Sequence, residues 1–283
     1  MLRQPAVSGM FYPAGEEALR ESIENSFTSS FGVGEIPTLK CENYKGDYPF
    51  NVFVPHAGFI YSGPAASFAY DKIVREGFPD TFIILSPNHT GIGKEISVFN
   101  EGEWITPLGN VKVDEDFANA IINNADKASS DFTAHIQEHS IELQLPFLQY
   151  FSNNFKIVPI TFGYQSFENT LEVAKAIVSA SKEVESSYCV IASTDLSHFY
   201  TQEGANSADS LVLQDIEEMN SKKLFDDVIS KDITMCGYGP VLTTIELSKL
   251  TGLNQSEVFT HYTSGDITGD LSRVVGYASG IFK

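Results

Sequence analysis

Cysteine is scarce in this chain, which has 283 residues and only Cys41, Cys189 and Cys236. The three cysteines are widely spaced and form no C-x-x-C pair, so the sequence argues against a disulfide framework and against a structural zinc ribbon. Few cysteines without a pairing pattern are typical of a reducing compartment. We therefore expect a cytoplasmic protein.

Basic residues are also few, with 18 Lys and Arg against 37 Asp and Glu and a formal net charge of −19. A field of this sign repels phosphate backbones and anionic lipid surfaces. We therefore expect neither a nucleic acid nor a membrane as a partner. The same charge also suits solubility or life at raised salt, so it identifies no substrate.

Long apolar runs are absent, since no segment approaches the roughly 18 apolar residues of a membrane span. The first residues, MLRQPAVSGMFYPAG, contain no apolar core of a signal peptide. We expect a soluble protein that is not exported. No linker, repeat or low-complexity tract divides the chain, and we predict one domain over residues 1–283.

Apolar segments at residues 50–55, 81–86, 155–162 and 188–193 are present and predict buried strands. They are continuous rather than alternating, as in sheets covered on both faces. Helical patterns follow at residues 64–76, 114–125 and 167–184, the first with Pro64 at its first position. Strands alternating with helices predict an α/β fold, with a mainly parallel or mixed central sheet flanked by helices.

The remaining segments complete this prediction. Residues 95–113 contain β-type sequence interrupted by turn residues and indicate an inserted hairpin. After residue 200 we predict helices at 204–219, 222–229 and 240–250, then strands at 257–263 and 272–282.

Histidines follow three of the predicted buried strands directly. His56 comes after the first strand, His89 after the second, and Asp195 with His198 after the fourth. In open α/β sheets the carboxyl ends of parallel strands form the edge where ligands bind. The sequence therefore predicts that these side chains share one cleft.

Two further segments add candidate residues. If a helix has begun by residue 135, the i, i+4 spacing places His135 and His139 on one face, with Glu138 beside them. His135 and Glu138 could equally be ordinary residues of a helix start. Cys236 lies in a turn-rich loop before a helix, where free N–H groups favour a thiolate, and it is the cysteine that we expect to be reactive.

Imidazole, thiolate and carboxylate are the usual ligands of zinc, iron and copper. A histidine at a strand end is also typical of a hydrogen-bonded loop anchor. Because four separate loops deliver such residues to one edge, we favour a shared site. His261, inside a predicted strand, and Cys189, inside an apolar strand, are interpreted as structural.

Six ordered motifs resemble those of the Memo family, which includes the B proteins of the AmmeMemoRadiSam system, and together they span nearly the whole chain. They are R-x-P-A-V-S-G-x-F-Y-P from residue 3, P-H-A-G-F-I-Y-S-G-P from 55, S-P-N-H-T-G from 86, E-H-S-I-E-L-Q-L-P from 138, S-T-D-L-S-H-F from 193 and M-C-G-Y-G-P from 235.

The resemblance implies a fold similar to that of class III extradiol dioxygenases. It also implies metal ligands at His56, His89 and Cys236, with iron or copper as the metal and zinc as an alternative. The motif matches extend the site to a candidate catalytic set. Its members are His198, Asp195, His139 and Glu138.

Two functions compete at this stage. The first is a metal-dependent redox enzyme, in which His198 and Asp195 act as acid and base on an unknown small molecule. The second is a non-catalytic module that binds a peptide or a modified side chain, together with the radical-SAM and A-type proteins that the resemblance implies as partners.

Two known types of chemistry rank lower. A thiolate in place of the dioxygenase carboxylate weakens the case for ring cleavage, because a soft ligand changes the metal preference and the redox behaviour. A hydrolase is the minor alternative, since no H-E-x-x-H or paired-carboxylate motif supports it.

Overall fold

The predicted buried segments form the centre of a 12-stranded sheet in a computed structural model that describes all 283 residues. The strands are β1 (Leu2–Arg3), β2 (Asn51–Val54), β3 (Thr81–Pro87), β4 (Ile96–Val98), β5 (Glu103–Thr106), β6 (Gly109–Val113), β7 (Ala128–Ser130), β8 (Lys156–Phe162), β9 (Tyr188–Ser193), β10 (His198–Tyr200), β11 (Ser256–Thr263) and β12 (Val274–Phe282). The α-helices are α1 (Glu16–Thr28), α2 (Phe59–Glu76), α3 (Glu115–Asn123), α4 (Leu145–Gln149), α5 (Phe167–Glu183), α6 (Gln202–Glu217), α7 (Ser221–Ser230), α8 (Tyr238–Leu250) and α9 (Ser264–Thr268).

The middle of the sheet is parallel. Its order is β6, β8, β3, β9 and β2, and every neighbouring pair in this run is parallel. Antiparallel pairs flank it, with β12 against β2 on one side and β5 against β6 on the other. The predicted α/β fold with a mainly parallel or mixed sheet is confirmed. No helix combines the length and the apolar character needed to cross a lipid bilayer.

Every residue of β2 and β3 is buried. Such strands need helices over both faces, because a side chain alternates from one face to the other along the strand. α2 and α8 both pack on β2, while α5 packs on α8 and α1 on α2. This packing explains why these strands are apolar throughout.

Helix α2 begins at Phe59, earlier than the predicted start at residue 64. Gly58 is its N-cap residue, so Pro64 lies inside the helix rather than at its first position. A proline there removes the hydrogen bond to the carbonyl four residues earlier, and its ring crowds that carbonyl. That residue is Ile60, which lies on the first turn of α2 and is 69% exposed.

The inserted hairpin is shorter than predicted. β5 and β6 form it, whereas β4 separates and pairs with β7 in parallel and with β8 antiparallel. Helix α1 was not predicted, although Leu19, Ile23 and Phe27 are buried at helical spacing. The other residues of α1 are mostly polar, so the segment as a whole is not apolar and the stripe is easily missed in the sequence.

The N-terminal segment docks on the protein through a buried ion pair between Arg3 and Glu142, whose side chains are 1% and 0% exposed. The Glu142 carboxylate also accepts hydrogen bonds from the amide of Ala6 at 2.8 Å and the hydroxyl of Tyr12 at 2.6 Å. Arg3 in turn donates to the carbonyl oxygens of His135 and Glu138. The first of the six motifs, which contains Arg3, therefore positions the segment that contains Glu138.

We expect Arg3→Met to lower the free energy of unfolding by about 3–5 kcal/mol, because it leaves the buried Glu142 carboxylate without its cation. The measurement is urea denaturation at neutral pH. Arg20→Met is the matched control, since Arg20 pairs with Glu16 at the surface, with side chains 38% and 61% exposed. Its loss should stay below about 0.5 kcal/mol. Equal losses in the two variants would contradict this account.

Candidate functional site

Loops from three adjacent parallel strands bring the site residues together. β3, β9 and β2 are neighbours, and Val54 is in register with Ser193. The loops after these strands therefore start at one edge of the sheet. The ring centroids of His56 and His89 lie 5.2 Å apart, as the sequence predicted from their strand-end positions.

A third imidazole, from His139, completes a histidine cluster consisting of His56, His89 and His139. Its ring centroid lies 5.5 Å from that of His56 and 4.7 Å from that of His89. One ligand atom from each residue lies within 4.8 Å of the other two. The cluster reaches solvent through the His89 side chain, which is 34% exposed.

Glu138 forms hydrogen bonds with two members of this cluster, His89 and His139. Its carboxylate, 1% exposed, accepts hydrogen bonds from the His89 amide at 2.5 Å and from the His89 Nδ1 at 3.0 Å. The amides of His139 and Ser140 donate to the same carboxylate at 2.9 and 3.0 Å. With Nδ1 engaged in this way, His89 presents Nε2 to the cluster.

The two histidines beside this carboxylate differ in their protonation behaviour. Burial favours the neutral form of His89, but the hydrogen bond and charge of Glu138 outweigh it and raise the His89 pKa. Burial dominates at His139 and lowers its pKa to about 4. Burial opposes ionisation of Glu138 as well, yet the His89 contact and the other donors lower its pKa to about 2. Glu138 is therefore an anion at neutral pH.

His56 is the most deeply buried member of the cluster, at 2% exposure. Its Nδ1 lies 2.8 Å from the Ser193 hydroxyl, and its Nε2 lies 3.2 Å from the Cys236 Sγ. Burial, together with the charges of the neighbouring histidines, places its pKa well below the ordinary value. His56 is therefore a neutral imidazole with a fixed orientation.

Cys236 lies against the cluster, with its Sγ 3.2 Å from the His56 Nε2, but it is not a ready thiolate. Burial and the charge of Asp195 raise the pKa of its thiol well above the usual range. The expected helix effect is weak because α8 begins two residues later, at Tyr238. Instead, the Asp195 amide donates to Sγ at 3.2 Å. The expectation of a lowered thiol pKa is wrong for the metal-free protein.

Asp195 and His198 lie at the same edge of the sheet. The Asp195 carboxylate is buried and accepts a hydrogen bond from the His56 amide at 2.8 Å. Burial raises the pKa of this carboxylate. His198 is half-buried, and its Nδ1 lies 2.8 Å from the Leu196 carbonyl and 2.9 Å from that of Thr234. Because a carbonyl only accepts, Nδ1 is the protonated nitrogen and Nε2 is the free one.

The predicted helix face with His135 and His139 does not exist. Residues 136–141 are irregular, between two short 3₁₀ helices, Thr133–His135 and Glu142–Gln144. Arg3 binds the carbonyls of this segment and Glu138 binds its amides, so side chains replace the helical hydrogen bonds. His135 lies away from the cluster, with Nε2 3.1 Å from the Ser97 carbonyl and Nδ1 3.2 Å from the Thr161 hydroxyl.

The sequence analysis missed the residues that support the cluster. Phe11 places its ring edge against His139 at 4.9 Å between centroids. Ser140, Gln144 and Ser193 form a buried polar layer beneath His56. Their positions within the E-H-S-I-E-L-Q-L-P and S-T-D-L-S-H-F motifs were the available signal. His261 bonds the buried Asp209 at 2.8 Å, outside the cluster.

The residue types present fit a transition metal. Three imidazoles, an adjacent thiol and a carboxylate behind one imidazole resemble the ligands and the supporting carboxylate of zinc, iron and copper sites. Two nitrogens on opposite sides of an ion are about 4.2 Å apart when each lies about 2.1 Å from it. The three imidazole ligand atoms lie within 4.8 Å of one another, close to this separation.

Residues 3–281 match the family model described as Memo-like protein. The chain belongs to this family. It is 60% identical to a MEMO1 family protein of Methanobrevibacter smithii, covering all of both chains. A MEMO1 family protein of Sulfolobus acidocaldarius is 42% identical, over 99% of this chain and 98% of that protein.

A solved structure shares the fold of this Memo-family chain. It is the crystal structure of an uncharacterized protein from Escherichia coli K12, with a TM-score of 0.58 and 11% sequence identity. The match covers 83% of this chain and all of the other one. At this identity it supports the fold alone.

The free energy of unfolding depends on the pH through the buried His135. Burial lowers the pKa of His135 from 6.5 to about 4. Between these two pH values the unfolded chain is protonated at His135, whereas the folded protein is not. Stability linked to His135 is therefore lost as the pH falls through this window, by about 2 kcal/mol at pH 5.

We expect urea denaturation at pH 7.5 and pH 5.0 to show a smaller acid loss in His135→Gln than in the wild-type protein, by about 2 kcal/mol. The other buried histidines contribute equally to both proteins and cancel in this comparison. The same acid loss in both proteins would show that His135 does not titrate as the structure implies.

Proposed function

We propose that this Memo-family protein binds one redox-active metal ion, iron or copper, and acts as an oxidoreductase on a small substrate. The observation that supports the proposal is the histidine cluster with Cys236 against it and Glu138 behind it. His56, His89 and Cys236 would be the ligands, and His139 would add a further nitrogen. A bound ion would supply electron transfer at an open position.

The protein's own residues supply the rest of the proposed chemistry. Glu138 orients His89 and balances the charge of a cation, because it remains ionised. His198 has its Nδ1 proton engaged by carbonyl oxygens, so its Nε2 can accept a proton from a substrate. Asp195, a buried carboxylate whose pKa lies above its ordinary value, is the second acid/base group of the proposal.

The test is the metal content of untagged protein purified without oxygen. We expect close to one iron or copper per wild-type chain and a loss in His56→Ala, His89→Ala and Cys236→Ser, because each removes a donor from one ion. His261→Asn is the matched control, since His261 is a half-buried histidine outside the cluster.

His139→Ala is included to measure the contribution of the third imidazole. A protein that takes up neither metal, even after incubation with Fe(II) or Cu(I), contradicts the proposal. If all the cluster variants retained the metal, the metal site would lie elsewhere in the protein. If the protein bound zinc alone, the proposed redox activity would be contradicted.

A second candidate is a binding module, favoured by exposed apolar side chains on the segments that contain site residues. Ile60, Ile92 and Phe199, close in sequence to His56, His89 and His198, are 53–69% exposed. Groups of exposed apolar side chains mark interaction surfaces. Phe199 follows His198 directly and adopts a φ of 66°, which is rare for an aromatic residue. Such strain is frequent at functional sites.

This candidate predicts a complex with an A-type AmmeMemoRadiSam protein that does not need the metal. Gel filtration of the purified pair would show the complex with wild type and with His56→Ala, but not with Phe199→Ser, which removes the exposed ring. No complex, or one that requires the metal ligands, would favour the enzyme.

A further inference from the structure

The Ser193 hydroxyl lies beneath His56 and contacts three groups at once. Its Oγ is 2.8 Å from the His56 Nδ1, 2.9 Å from the Gln144 Nε2 and 2.9 Å from the Ser140 carbonyl oxygen. Ser193 is fully buried. Its one proton and two lone pairs must therefore match these three partners without help from solvent.

Two of the three partners of Ser193 can act in only one way, one as an acceptor and the other as a donor. A carbonyl oxygen only accepts, so Ser193 donates its single proton to Ser140. The Gln144 amide is oriented by its other contacts: Oε1 accepts from the Tyr70 hydroxyl at 2.6 Å, and Nε2 donates to the Pro55 carbonyl at 3.1 Å. Its Nε2 has one further hydrogen and lies 2.9 Å from the Ser193 hydroxyl but 3.2 Å from the Ser140 carbonyl oxygen, so the nearer Ser193 accepts it.

One lone pair of Ser193 then remains, and it faces the His56 Nδ1. We infer that Ser193, with its proton directed to Ser140 by Gln144, fixes His56 in the tautomer that carries hydrogen on Nδ1. Nε2 is then the unprotonated nitrogen, and it faces the Cys236 thiol at 3.2 Å. Ser193 is a positioning residue: it selects which nitrogen of His56 can bind a metal.

The histidine cluster thus uses two different supports. His89 gives its Nδ1 proton to a carboxylate, Glu138, whereas His56 gives it to a neutral hydroxyl. His56 is the more buried of the two, and a hydroxyl fixes a tautomer without placing another charge in the interior. The role in metal binding rests on the proposed function, but the tautomer is a property of the metal-free protein.

The first test is ¹⁵N-histidine NMR of metal-free wild-type protein at neutral pH, with the His56 signals assigned by their absence in His56→Ala. We expect hydrogen on Nδ1 and none on Nε2, since the two nitrogens have different chemical shifts. Hydrogen on Nε2 overturns the inference, whether or not the protein binds metal. The tautomer is measured in the wild-type protein, and His56→Ala serves only to assign the signals.

The second test compares Ser193→Ala with Ser86→Ala. Ser86 is the matched control because it is fully buried near the end of the adjacent strand β3, with its hydroxyl 3.0 Å from that of Thr161. We expect Ser193→Ala to show a mixture of His56 tautomers and an iron or copper affinity lower by roughly 10- to 100-fold. Ser86→Ala should keep the single tautomer and the wild-type affinity.

A single Nδ1–H tautomer in Ser193→Ala would overturn the role of Ser193. If no variant and no wild-type sample binds metal, the proposed function fails, while the NMR result still decides the tautomer. The two failures are therefore distinguishable.

Discussion

The ion pair between Arg3 and Glu142 is the interaction on which the geometry of the histidine cluster depends. The segment from His135 to Glu142 is mostly irregular, so its backbone cannot satisfy its own polar groups as a helix would. Arg3 supplies donors to its carbonyls, and Glu142 accepts amides and a hydroxyl from the N-terminal segment. The position of His139 is thus determined by residues more than 130 positions earlier in the chain.

Glu138 transmits this arrangement to the site. The backbone of Glu138 is bound by Arg3, while its carboxylate turns toward His89 and the amides of the next two residues. A buried carboxylate with this many donors stays ionised, and its charge favours the protonated form of both neighbouring histidines. His89, in direct hydrogen-bond contact, has a raised pKa, whereas burial dominates at His139.

The sequence was sufficient to predict the parallel sheet and the edge at which the site forms. Continuous apolar strands followed at once by His56 and His89 contain the needed information, because parallel neighbours end at the same edge. The family resemblance placed His139 among the candidate residues, and the structure places it beside His56 and His89, but for its backbone the helical spacing was misleading. The side chains of Arg3 and Glu138 replace the backbone hydrogen bonds that a helix would form here. The spacing of residues along the chain gives no information about such distant partners.

The protonation of Cys236 shows the same limit. A cysteine before a helix suggests a thiolate, but the thiol is buried beside Asp195, and charge and burial outweigh a helix that starts beyond it. The packing that raises its pKa comes from the loop after β9, more than forty positions away in sequence from the cysteine. In this cluster, local sequence determines which donors are present, and distant contacts determine their protonation. The chemistry of the donor set is therefore a property of the folded sheet edge rather than of any one motif.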